Sequence, residues 1–118
     1  MNSEYIIAKE QIRLINERYG GRLRSDAEIE TALALGKGKS VYRKIAYLWR
    51  AVLVGHPFTD GNKRTALVVA LAILEKCDIK LNEEKKENLV TEIKKIAKEN
   101  ITDISRIERL VRYAATGY

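Results

Sequence analysis

Apolar residues recur at three- and four-residue spacings along most of the chain, the pattern of helices that bury one face. Ile6, Ile7, Ile12, Leu14 and Ile15 open it within Tyr5 to Tyr19, and Gly20-Gly21 stop it, which predicts a first helix. Ser25 with Glu28 three residues on is a capping-box signature, so Ile29, Ala32 and Leu33 predict a short second helix before Gly36. Between the two, Gly21-Arg22-Leu23-Arg24 reads as an extended basic segment, either a loop or a small β-hairpin arm. Ser40 is placed to cap a third helix to about Val54, with Val41, Ile45, Leu48 and Val52 on one stripe and Tyr42, Tyr47 and Trp49 adding bulk. Gly55-His56-Pro57 breaks it. Asn62 to about Cys77 is apolar on every face, which predicts a central helix surrounded by protein and a buried Cys77. Asn82 caps a fifth, amphipathic helix through about Lys98, and Thr102 or Asp103 caps a sixth. On the fifth, Lys85, Lys86, Lys94, Lys95 and Lys98 alternate with Glu84, Glu87, Glu92 and Glu99, the pattern of a solvated face. Six helices and little strand define an all-α chain.

Length and composition narrow the classes. The 118 residues, 46% apolar with one proline, are expected to form one domain over 1–118 with a core that needs no metal or disulfide. One histidine and one cysteine exclude a four-ligand zinc site within the chain and any intrachain disulfide. The longest apolar run, Ala66 to Leu74, is far short of the roughly 20 residues that span a bilayer. The N-terminus lacks a basic stretch followed by an apolar segment, so the expected location is cytoplasmic, with no membrane partner. The net charge of +6 favours an anionic partner and leans to the front half, in Arg22, Arg24, Lys37, Lys39, Arg43 and Lys44.

One stretch is not explained by core packing. His56-Pro57-Phe58-Thr59-Asp60-Gly61-Asn62-Lys63-Arg64 gathers the only histidine, a carboxylate and two cations where one apolar helix ends and the next begins. Gly61, Asn62 and Lys63 fall in the first turn of the fourth helix, whose unpaired N–H groups and positive dipole end attract anions. Lys63 and Arg64 add formal charge, so the four residues are candidates for holding phosphate. Asp60, just before the turn, is the candidate ligand for a Mg²⁺ ion riding on such phosphates. His56 is the candidate general base, since an imidazole accepts a proton from a hydroxyl near neutral pH. Phe58 is expected to anchor the loop in the core.

These residues resemble the signature of the Fic/Doc family, His-x-Phe-x-Asp/Glu-Gly/Ala-Asn-x-Arg, and Lys63-Arg64-Thr65-Ala66 is similar to its Doc branch. More weakly, Gly21 to Arg24 followed by Glu30-Thr31-Ala32-Leu33-Ala34 resembles the family's flap and the helix after it, and residues 5 to 98 fit by element order. The resemblance implies a Fic/Doc-like helical bundle with a short flap or β-hairpin, using ATP and Mg²⁺, in which a target protein's hydroxyl attacks a phosphorus. In Fic proteins the product is an AMP-modified Ser, Thr or Tyr; in Doc toxins it is a phosphorylated threonine of elongation factor Tu. The AMP-transferring pattern has Gly where Lys63 stands and a second Arg where Leu67 stands, and both departures favour terminal phosphate transfer. The family's inhibitory string, Ser/Thr-x-x-x-Glu-Gly/Asn, does not occur in the chain, which by the resemblance implies inhibition by a small antitoxin protein. Arg22 and Arg24 are candidates for a target-binding flap that works by strand addition.

Plainer roles compete for the same residues. Asp60 is also a good helix cap, Asn62 a turn brace, and Arg22 and Arg24 ordinary surface cations. A different class, a non-catalytic basic module for nucleic acid or for an antitoxin-type partner, rests on the +6 charge alone. The chain lacks a helix-turn-helix pattern with base-reading side chains, which disfavours nucleic acid.

Overall fold

The structure is a computed structural model and describes residues 7–118. Six α-helices succeed one another: α1 (Lys9–Glu17), α2 (Ala27–Gly36), α3 (Val41–Trp49), α4 (Asn62–Lys76), α5 (Glu83–Glu99) and α6 (Ile104–Thr116). The expected start of the first helix, Tyr5 and Ile6, lies outside the described residues. Ile7 is buried ahead of α1, whereas Leu14 on that helix faces solvent.

Three of the expected caps form. Ser40 accepts from the Arg43 N–H at 3.2 Å, Asn82 from Lys85 at 2.8 Å and Asp103 from Ser105 at 3.1 Å. The Ser25–Glu28 capping box does not. Asp26 occupies the N-cap of α2, and the Ser25 hydroxyl meets only the Ala27 N–H, at 3.4 Å. Lys9 has claimed Asp26 instead: its ammonium lies 2.9 Å from Asp26 and 2.6 Å from Glu30, tying α1 to α2.

That hydrogen bond holds the Asp26 carboxyl below its ordinary value of 3.8. A carboxyl lowered on folding adds stability above its unfolded value and loses it as the pH falls through the folded one. Lys9→Ala should therefore lower the melting temperature slightly at neutral pH, because exposed pairs are worth little, and the gap should close on acidification. Calorimetric melts at a series of pH values check this.

α4 holds the middle position, packed by α1, α3 and α5, while α6 lies across α3 and α5. Its burial is not the all-round burial that its composition predicts. Thr65, Ala66, Val69, Ala70, Ile73 and Leu74 are buried, but Leu67, Val68, Leu71 and Ala72 are half-buried. The last helix packs on α3 and α5 rather than over this strip, so α4 lies at the edge of the core on one side.

α3 passes without a break into one turn of π-helix, Arg50–Val54, closed by the Gly55 N–H on the Arg50 carbonyl at 3.2 Å. Such turns are rare and occur frequently at functional sites. Trp49, just before it, is fully buried and donates its indole N–H to the Ala66 carbonyl of α4 at 3.0 Å. This bond joins the two helices that flank the polar loop. Among the described residues, no helix is long and apolar enough to cross a membrane.

Candidate active site

The loop between the π turn and α4 is held from three sides. Phe58 is fully buried, as its place between polar neighbours predicts, and anchors the loop from below. Asn62 clasps the peptide of the same residue: its Oδ1 accepts from the Phe58 N–H at 3.3 Å and its Nδ2 donates to the Phe58 carbonyl at 3.0 Å. The turn-bracing role thus takes the Asn62 side chain, leaving its backbone N–H in the first turn of α4.

The second support is the segment before α2. It forms no hairpin among the described residues; Leu23 pairs with Phe58 as a single antiparallel bridge. The Arg24 N–H donates to the Pro57 carbonyl at 2.7 Å, and the Thr59 N–H donates to the Arg22 carbonyl at 2.9 Å. A hairpin needs a second strand of its own, and here the motif loop takes that place. The Arg24 guanidinium also donates to the carbonyls of His56, at 2.9 Å, and Phe58, at 3.3 Å.

The third support is Asn16 of α1, which is 1% exposed. Its Nδ2 donates to the Asp60 carbonyl at 2.7 Å and to the Thr65 hydroxyl at 3.1 Å, spanning the start of α4. Its Oδ1 is buried without a partner, yet flipping the amide would set oxygen against the Asp60 carbonyl oxygen, so the orientation is dictated. Nothing larger than glycine fits around it. A Cβ on Gly21 would stand 2.2 Å from Asn16 Oδ1 and 2.3 Å from the Asp60 carbonyl oxygen. Gly61 has a φ of +73° and room only for hydrogen, since a Cβ would stand 2.8 Å from that of Tyr19. Asn16→Ala is expected to cost about 1–3 kcal/mol, because it leaves buried partners unsatisfied, as read by urea unfolding.

Held in this way, the loop and the α4 start line an open cleft of about 900 Å³. His56, Asp60, Gly61, Asn62, Lys63 and Arg64 all border it. His56 is exposed at its edge with a φ of +48°, a backbone state that costs most residues free energy and that histidine visits more readily than most. The Asp60 Oδ1 accepts from the Gly61 N–H at 2.8 Å. The first N–H groups of α4 have no partner within the helix, and Lys63 and Arg64 stand exposed beside them. Arg64 also lies over the Tyr19 ring, 5.7 Å from its centroid.

Arg22 and Arg24 do not line this cleft. Arg22 borders a separate hollow with Arg13, Asn16, Glu17 and Leu23, and Arg24 is engaged by the loop carbonyls.

Several cleft residues escape a reading of the sequence. Tyr19 comes from the turn that follows α1, and Lys94 and Lys98 from α5. The two lysines are exposed, as a solvated face predicts, but that face is also a wall of the cleft. Their four-residue spacing shows only that they share a face, not which neighbour it meets. Asn16 does leave a signal: it falls four residues after Ile12, a polar residue on the buried stripe of α1.

The donor set decides what cation suits the cleft. Among the described residues no group of three or more His, Cys, Asp or Glu gathers, so no cage is built from protein alone. One carboxylate beside an anion-attracting turn fits a Mg²⁺ that takes its other ligands from phosphate and water.

An all-α chain in which a histidine, a carboxylate and a cationic helix start share one cleft is built to attract a negatively charged ligand. The model of the Fic/DOC family matches residues 3–74, and the chain belongs to that family. Its members are typically enzymes that transfer nucleotide-derived groups to proteins. No curated protein and no solved structure matches the chain.

Proposed function

We propose that this chain transfers the terminal phosphate of ATP to a Thr or Ser hydroxyl of a target protein, as Doc toxins do, with elongation factor Tu as the candidate target. The observation that carries the reading is the single cleft lined by His56, Asp60 and the first turn of α4. The hydroxyl oxygen bonds to the terminal phosphorus and the bond from that phosphorus to the bridging oxygen breaks, releasing ADP. The hydroxyl proton passes to an imidazole nitrogen of His56. Backbone N–H groups at the start of α4, with Lys63 and Arg64, hold the phosphate oxygens as charge spreads over them. Mg²⁺, when bound at Asp60, neutralises phosphate charge.

The choice of terminal phosphate over AMP is supported by Lys63 and Leu67. Lys63 stands in the cleft where the AMP-transferring pattern has glycine, and Leu67, half-buried against the core and not among the lining residues, stands where that pattern has a second arginine. Restraint by a small antitoxin that presents an acidic segment to the basic front half completes the proposal.

Label transfer from Mg-ATP into purified elongation factor Tu and into a bacterial lysate tests it. Tracer from the terminal phosphate is the expected result. Tracer from the alpha phosphate would replace the reading with AMP transfer. No label from either, with a folded protein, would leave the basic binding module.

A further inference from the structure

The cleft carries more positive charge than one phosphate needs. Lys94 and Lys98 lie one turn apart on α5, with Ala97 on the same wall, and face the space bordered by the α4 start. Among the described residues, neither lysine forms an ion pair, and nor does Lys63. Of the acidic residues on α5, Glu99 pairs with Arg106, and none of Glu84, Glu87, Glu92 and Glu99 borders the cleft. Among the described residues, the lining therefore sets Lys63, Arg64, Lys94 and Lys98 against a single carboxylate, Asp60.

Like charges gathered in a cleft repel one another unless a counter-ion joins them. A lone phosphate at the first turn of α4 is matched by the N–H groups there with Lys63 and Arg64, and it leaves the α5 lysines unanswered. A ligand with several linked anionic groups answers both walls at once. The cleft volume, about 900 Å³, lies near the upper end of the roughly 300–1,000 Å³ usual for small-molecule sites, so it has room for more than one such group.

We propose that Lys94 and Lys98 form a second anion subsite, on α5, which holds the far part of a phosphate chain whose near part rests on the α4 start. The site then selects linked polyphosphates over a single phosphate. That the chain belongs to a nucleotide rests on the proposed ATP chemistry; the preference for linked phosphates does not.

Isothermal titration with inorganic tripolyphosphate and with orthophosphate, at one fixed ionic strength, tests the subsite. The proteins compared are the wild type, Lys94→Ala/Lys98→Ala and Lys95→Ala, the last removing a cation of the same helix that does not line the cleft. The double variant should bind tripolyphosphate about ten-fold more weakly, as loss of two exposed charge contacts implies, and orthophosphate as before. Lys95→Ala should match the wild type. Both altered positions of the double variant are exposed, so circular dichroism should show an unchanged fold.

Equal tripolyphosphate affinity in the wild type and the double variant would overturn the subsite, and label transfer from ATP by the wild type would then leave the enzymatic reading intact. An equal loss in Lys95→Ala would also overturn it, reducing the effect to net charge. Weaker tripolyphosphate binding in the double variant alone would support the subsite even if no label were transferred.

Discussion

His56→Ala is expected to abolish transfer of label from Mg-ATP, a fall of about 10²–10⁴-fold if the imidazole is the base, while the melting temperature hardly moves. The side chain is exposed, so its removal takes little from the core. The backbone is kept in place by other residues: Pro57 comes next, Arg24 holds the His56 carbonyl, and Phe58 is sunk two positions on. The left-handed φ of +48° adds a second variant. Asparagine tolerates that conformation well but cannot act as the base, so His56→Asn separates the chemistry from the shape of the loop. Both variants should be folded and inactive. Transfer at the wild-type rate by either would remove His56 from the reaction and with it the proposed course of proton transfer.

The largest loss of stability is expected at Trp49. Trp49→Ala should cost about 3–5 kcal/mol, because it opens a cavity at the junction of α3 and α4 and removes the indole bond to Ala66. That is a large fraction of the roughly 5–15 kcal/mol that holds an average domain together. Trp49→Phe should cost much less, since the Ala66 carbonyl keeps its helical partner and most of the volume stays filled. Urea unfolding followed by circular dichroism is the measurement, because the chain's only tryptophan is the one replaced. A loss below about 1 kcal/mol for the alanine variant would mean that the two helices are joined chiefly elsewhere. Activity should fall with folded fraction in these variants and, unlike in His56→Ala, return when the cold protein is assayed.

Periodicity and punctuation made the helices legible, because helix formation is decided largely by neighbours three and four residues away. Ser40, Asn82 and Asp103 cap as their positions predict, since capping is also local. Ser25 shows where local reasoning fails: Lys9, from another helix, takes Asp26, and the helix starts one residue later than the capping signature. The burial of α4 shows the same limit. Its composition states that apolar groups lie on every side, but only the arrangement of α1, α3, α5 and α6 decides which side is left at the edge.

The chemistry divides along the same line. Residues 56–64 are contiguous, so their order alone brings His56, Asp60 and the cationic turn of α4 within one short loop, and no distant contact is needed to see them as a group. The bracing of the loop and the completion of the cleft are matters of tertiary structure. Asn16 reaches Asp60 and Thr65 across more than forty residues, Arg24 reaches His56 across thirty-two, and Lys94 and Lys98 arrive on a helix that reads in isolation as ordinary solvated surface. A side chain's type and spacing set its chemistry and its face; which ligand or neighbour that face meets depends on how the helices pack, and only the folded chain decides it.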